Sequence, residues 1–182
     1  MSTRIILIRH GETNLTVKKA YCGVTDVGLN PAGRKQARKL ALKLRGEKIQ
    51  NVYSSSLARA QTFARIVFDG FQIETIPELS EMNFGIFEGL TYDEIMLKYP
   101  ALYSEWLKNP SGVAVPGGEN FRDFQKRTRR ALSKIITLNK GKTAAVVTHA
   151  GNIKVIVGGI LKSKDIREIN VSTASAIIIE FK

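Results

Sequence analysis

Two stretches constrain this chain most. Ile5-Ile6-Leu7-Ile8 and Ala144-Ala145-Val146-Val147 are unbroken apolar runs, and each leads within two residues to a histidine, His10 and His149. A strand that is apolar on both faces needs cover on both faces, which points to a parallel sheet between layers of helix. The other segments alternate to match. Strands are expected at Arg4–Arg9, Asn51–Ser54, Phe71–Ile76, Thr143–Thr148 and Ala176–Phe181. Asn30-Pro31 supplies a cap and a first helical residue. The helix it opens carries Ala37, Leu40, Ala41 and Leu44 on one face and stops near Gly46. Further helices are expected over Leu57–Phe68, along the stripe from Phe121 to Ile136, and over Ile153–Leu161. The middle is less regular, with helices at Thr91–Lys98 (stopped by Pro100) and Leu102–Lys108, then a loop at Val113–Gly118. The expected fold is α/β, a three-layer α/β/α sandwich with a mostly parallel central sheet. At 182 residues it is read as one domain, 1–182.

In such sheets, sites form beyond the carboxyl ends of the strands. The only two histidines both fall there and are expected to meet. One cysteine and two histidines leave no thiolate-rich or His-pair zinc site, so neither a metal nor another cofactor is expected. Gly141-Lys142-Thr143 ends like a phosphate-binding P-loop, but Ile136 stands where the first glycine is required. Cys22 has Gly28, not arginine, six residues on, which argues against a thiol phosphatase loop and leaves Cys22 structural. The net charge of +12 favours anionic partners. Lys126, Arg127, Arg129 and Arg130 cluster on one helix, read as a solvated face, and no nucleic-acid module accompanies them. No apolar run approaches the roughly 18 residues of a membrane span, and Ile5–Ile8 is too short for a signal core, so a cytoplasmic protein is expected.

Six ordered blocks then carry a resemblance over almost the whole chain. Arg9-His10-Gly11-Glu12-Thr13 leads, followed by Asp26, Leu29, Gly33 and Gln36-Ala37. Ser54-Ser55-Ser56-Leu57-Ala58-Arg59-Ala60 with Thr62 comes next, then Glu81 to Gly89, then Pro116-Gly117-Gly118-Glu119, with Thr148-His149-Ala150-Gly151 closing the series. This pattern resembles the histidine phosphatase superfamily, the phosphoglycerate mutase-like fold. The resemblance implies a nucleophilic His10 that forms a phosphohistidine, with Arg9, Arg59 and an imidazolium at His149 on the phosphate. It implies Glu81 as proton donor, ahead of Glu12, assigned to ordering the loop, and Glu88, assigned to the turn at Gly89. Gly11, Gly23 and Gly151 are read as letting backbone approach the phosphate, and the turn at Gly151 as opening a helix toward it. Leu15-Thr16 replaces the family's frequent Trp-Asn, leaving Thr16 to supply a phosphate hydrogen bond.

The chain lacks the mutase Glu-Arg-His-Tyr-Gly block and resembles the small phosphatase branch. That branch includes α-ribazole-5′-phosphate, broad-specificity and metal-independent phosphoserine phosphatases, and α-ribazole phosphatase stands first on length and motifs. The implied partner is a small phosphorylated substrate; a homodimer stays open. Residues 81–116 are read as a cap, with Phe84, Phe87, Tyr92, Tyr103 and Trp106 in core packing or stacked on a substrate ring. A mutase, or a non-catalytic phospholigand or nucleic-acid binder, are the alternatives.

Overall fold

The computed structural model describes residues 2–163 and 165–181. The first apolar run becomes β1 (Thr3–Arg9), with Ile5 to Ile8 fully buried. After a one-turn helix α1 (Asn14–Val17), helix α2 (Pro31–Leu44) starts where expected, the Asn30 side chain accepting the Gly33 N–H at 2.8 Å. Strand β2 (Asn51–Ser54) and helix α3 (Ala58–Val67) follow. The third strand, β3 (Ile73–Thr75), is shorter than the expected Phe71–Ile76, as suits an edge.

Two helices occupy the middle, α4 (Tyr92–Lys98) and α5 (Pro100–Lys108). Pro100 therefore separates them as expected, but it also opens α5 at its first position, where a missing N–H leaves no bond unmade. Helix α6 (Phe121–Leu138), strand β4 (Thr143–Thr148), helix α7 (Ala150–Leu161) and strand β5 (Ala176–Phe181) complete the chain. Helix α7 begins three residues earlier than expected, because His149 is extended and serves as its cap residue.

The sheet runs β3-β2-β4-β1-β5, parallel except for β5 against β1. One face packs Ile6, Ile8, Val52 and Val147 under α2 and α3, around Ala37, Leu40 and Phe63. The other packs Ile5, Leu7, Ala144 and Val146 under α6 and α7, around Ile135 and Ile153. A third cluster, Met82, Phe87, Ile95, Tyr103, Trp106 and Val115, fills the 81–116 segment and meets Phe124 and Val155. Adjacency of β1 and β4 does the decisive positioning. Arg9 pairs with Thr148 in register, and the His10 N–H donates to the Thr148 carbonyl at 3.0 Å. Both histidines thus leave neighbouring strands at one edge.

Candidate active site

His10 and His149 lie with ring centroids 5.0 Å apart, and both are buried. His10 Nδ1 is 2.7 Å from the Gly11 carbonyl, which can only accept, so the proton is on Nδ1. Nε2 is then a lone pair, and Arg59 Nε donates to it at 3.3 Å. Burial, with the Arg59 charge next, pushes His10 down to about 3. His10 is therefore a neutral imidazole at neutral pH, with the reactive nitrogen turned toward two arginines.

Arg59, in the first turn of α3, is fully buried. Its Nη1 donates to the Thr25 carbonyl at 2.9 Å, and its Nη2 to those of Gly23 at 2.5 Å and Cys22 at 3.2 Å. Among the described residues no carboxylate pairs with it. Arg9 Nη1 donates to the Val171 carbonyl at 2.6 Å, while its Nε is buried without a partner. His149 Nε2 lies 2.7 Å from Ser55 Oγ, and its Nδ1 is likewise buried and unpartnered. Burial, then the charges of His10 and the two arginines, holds His149 well below the usual imidazole range. Burial thus works against the expected imidazolium at His149.

Glu81 closes the other side. Its Oε1 accepts the Met82 N–H at 3.0 Å and its Oε2 the Gly151 N–H at 2.9 Å. Burial nevertheless raises its carboxyl above the ordinary range, against those two bonds and the arginines. The resulting cavity, about 440 Å³, is bounded by Arg9, His10, Thr16, Glu81, Phe84 and Ala150. Arg9 and His10 line it, and the buried Arg59 and His149 stand directly behind His10. Buried donors without partners mark a missing acceptor, and planar forks without acids suit a tetrahedral oxyanion.

The sequence profile of the histidine phosphatase superfamily (branch 1) matches residues 5–182. The chain belongs to the histidine phosphatase superfamily. The "Bifunctional protein Rv2228c" of Mycobacterium tuberculosis is 35% identical over 98% of this chain and 50% of its own length, so the chain spans about half of that relative. The "Metal-independent phosphoserine phosphatase" of Arabidopsis thaliana is 34% identical over 85% of this chain and 67% of that protein. Among solved structures, the alpha-ribazole phosphatase from Shigella flexneri superposes with a TM-score of 0.89 at 28% identity, covering 98% of this chain and 91% of that one.

Within this histidine phosphatase fold, several expected residues stand differently from the sequence reading. Thr16 lines the cavity, but its hydroxyl proton goes to the Thr13 carbonyl at 2.8 Å in the cap of α1, so it is not a free donor. Each of these glycines is packed closely against protein. A Cβ on Gly11 would meet Gly33 and Phe63, one on Gly23 would meet Met82 O and Glu88, and one on Gly151 would strike Glu81 Oε1. The Gly151 N–H, at the start of α7, is taken by Glu81 itself. Glu12 leaves the site as expected and holds the loop, with Oε1 accepting from Asn30 Nδ2 at 2.8 Å. Glu88 pins residues 23–25 in addition to its own turn, accepting the N–H groups of Gly23, Val24, Thr25 and Phe84 at 2.9–3.2 Å. Since the carbonyls of Gly23 and Thr25 hold Arg59, Glu88 positions Arg59 at one remove. Of the cap aromatics, Phe87, Tyr103 and Trp106 are buried in the cluster, while Phe84 and Tyr92 line the cavity and Tyr92 is 54% exposed.

Sequence reading missed Ser55 as the partner of His149, and it misplaced Arg127. That side chain is not on a solvated face. Its Nε and Nη2 fork Glu119 at 2.6 and 2.9 Å, and its nitrogens also donate to the carbonyls of Glu78, Ser80 and Glu81 at 2.7–2.9 Å. It therefore holds the strand of chain that carries the Glu81 carboxyl. The signal was available: Arg127 stands three residues after Phe124 and four before Ala131, both buried. Arg127→Ala should lower kcat on an alkyl phosphate by roughly tenfold or more, since a small displacement of a reacting group costs about that much. Arg127→Lys should recover only part, lacking the fork. Parallel steady-state rates and melting temperatures check this; a lowered melting temperature with unchanged kcat would limit Arg127 to stability.

Proposed function

We propose that the chain is a phosphomonoester hydrolase working through a phosphohistidine on a small phosphorylated metabolite. The observation that carries the reading is a neutral His10 Nε2 beside Arg59 and Arg9, neither of which is ion-paired to a carboxylate among the described residues. His10 Nε2 attacks phosphorus and forms an N–P bond while the ester P–O bond breaks. Glu81, whose carboxyl burial raises above the ordinary range, gives its proton to the departing oxygen. The Glu81 carboxylate then takes a proton from water, whose oxygen attacks phosphorus and breaks the N–P bond. Arg9, Arg59 and His149 offset the charge on the three phosphoryl oxygens throughout.

The reaction is proposed to need no metal. The two guanidinium groups supply the neutralisation a divalent ion would otherwise give, and among the described residues no three His, Cys, Asp or Glu side chains cluster to hold one. Among the described residues no helix is long and apolar enough to cross a membrane. α-Ribazole-5′-phosphate stands first among named substrates, supported by the Shigella relative and by aromatic walls that suit a flat base; phosphoserine stands second, supported by the Arabidopsis relative. The test is hydrolysis of p-nitrophenyl phosphate, α-ribazole-5′-phosphate and phosphoserine, each with and without excess EDTA. Turnover indifferent to chelator is expected. Activity that disappears with EDTA and returns only with added metal would overturn the metal-free reading, and absence of turnover on all three would overturn the phosphatase itself.

A further inference from the structure

A second cavity of about 840 Å³ adjoins the first. The two share Tyr21, Glu81, Phe84 and Ala150, so Glu81 is a wall common to both. Resting on the phosphatase reading above, this geometry gives the space a direction. The phosphoryl group lies on the His10 side and Glu81 meets the departing oxygen, so whatever that oxygen carries extends past Glu81 into the larger cavity.

Its walls and its far end differ in character. Phe84, Trp106, Phe121, Phe124 and Ile166 make the walls apolar and largely aromatic. Cations stand around the rest: Lys108, Arg129, Lys154 and Lys162. Apart from Glu81, the acid lining the space is Asp165, and it is already occupied, with Arg167 Nη2 at 2.6 Å and Nε at 2.9 Å. Lys108, Arg129 and Lys162 are exposed, but Lys154 is half-buried on α7, one turn beyond Ala150. Among the described residues its Nζ makes one hydrogen bond, to the Arg167 carbonyl at 3.1 Å, so two of its three ammonium donors have no partner there. Burial and then Arg9 lower its pKa, against the opposing charges of Glu81 and Asp165, and an added anion would act with those two acids to favour the ammonium.

We propose that the larger cavity is the leaving-group site, and that Lys154 there pairs with an anionic substituent on a leaving group with a flat apolar body. Among leaving groups of like shape, the site then favours those bearing a negative charge, a carboxylate or another phosphate, one ring or so from the ester oxygen. α-Ribazole-5′-phosphate, whose leaving group is uncharged, would use the aromatic walls alone.

A matched pair of probes isolates the charge: N-acetyl-O-phosphotyrosine and its carboxamide share the phosphoryl group, the ring and nearly the same size. Wild type should favour the acid in kcat/KM by about tenfold, a preference that shrinks at high salt because the pair is only half-buried. Lys154→Arg should retain the preference and Lys154→Met should bring the ratio close to one. The ratio within each variant is independent of how much enzyme folds. Equal rates on both probes, or a preference that survives in Lys154→Met, would overturn the anion site while leaving the phosphatase intact. Absence of turnover on both probes and on p-nitrophenyl phosphate would instead remove the phosphatase reading. Calorimetric titration of the same two compounds would then decide the site alone: tighter binding of the acid, lost in Lys154→Met, keeps it, and equal binding removes it.

Discussion

His10→Ala should abolish turnover with every substrate, by at least about 10³-fold, because it removes the atom that accepts the phosphoryl group. The rest of the cradle does not depend on the imidazole. Arg59 keeps three carbonyl acceptors and Arg9 keeps Val171. Binding of inorganic phosphate should therefore persist in the variant while chemistry stops. Wild-type protein quenched in acid or base after mixing with labelled substrate should carry acid-labile, base-stable label, as expected for phosphorus on nitrogen, and His10→Ala should carry none. Label persisting on the variant would overturn His10 as nucleophile. His149 is the alternative acceptor, but its Nε2 is engaged by Ser55 at 2.7 Å.

Glu81→Gln should separate substrates by their leaving groups. The amide keeps the size, and its carbonyl oxygen can still accept one of the two N–H groups that hold the carboxylate. What is lost is the proton. An alkyl phosphate, whose alkoxide leaves poorly, should slow by about 10²–10⁴-fold. p-Nitrophenyl phosphate, whose leaving group needs little protonation, should slow far less, and its phosphohistidine should accumulate as water loses its base. The pH dependence carries the same signature. Glu81 must be protonated to act, and burial raises its pKa, so alkyl phosphate turnover should fall as pH climbs through that raised value. The descending limb should vanish in Glu81→Gln. Equal losses on both substrates would remove Glu81 from the acid role.

The histidine pair was legible in sequence because its cause is local. An unbroken apolar run must be a buried strand, and the residue just past its end must sit at the sheet edge. Adjacency of β1 and β4 then does the rest. Arg59 was legible only through the resemblance, since a lone arginine opening a helix says nothing of the three carbonyls that receive it. Gly11, Gly23 and Gly151 show the limit most plainly. Sequence says that a side chain is missing but not what fills the space, and in all three cases it is protein. Ser55 to His149, Glu119 to Arg127 and Glu88 to residues 23–25 are pairings between segments that meet only in the folded chain, and no periodicity within one segment announces them. Arg127 differs, because its place on the buried stripe of α6 was readable; its membership in a run of like charges hid it.

The 81–116 segment is moored to the sheet domain by two carboxylates near its ends, Glu88 on the loop at residues 23–25 and Glu119, just beyond Pro116, on Arg127. Between the moorings it has a core of its own, built on Ile95, Tyr103, Trp106 and Val115. Gly85, at φ +53°, backs directly onto Pro116 and Gly118, so the two ends of the segment meet at a single hinge-like seam. That arrangement makes it an exchangeable cassette. A chimaera that swaps residues 90–115 for the corresponding stretch of a relative, while keeping Glu88, Gly85, Gly118 and Glu119, would inherit a new roof over an unaltered reaction centre, and natural diversification of substrate could proceed by the same splice.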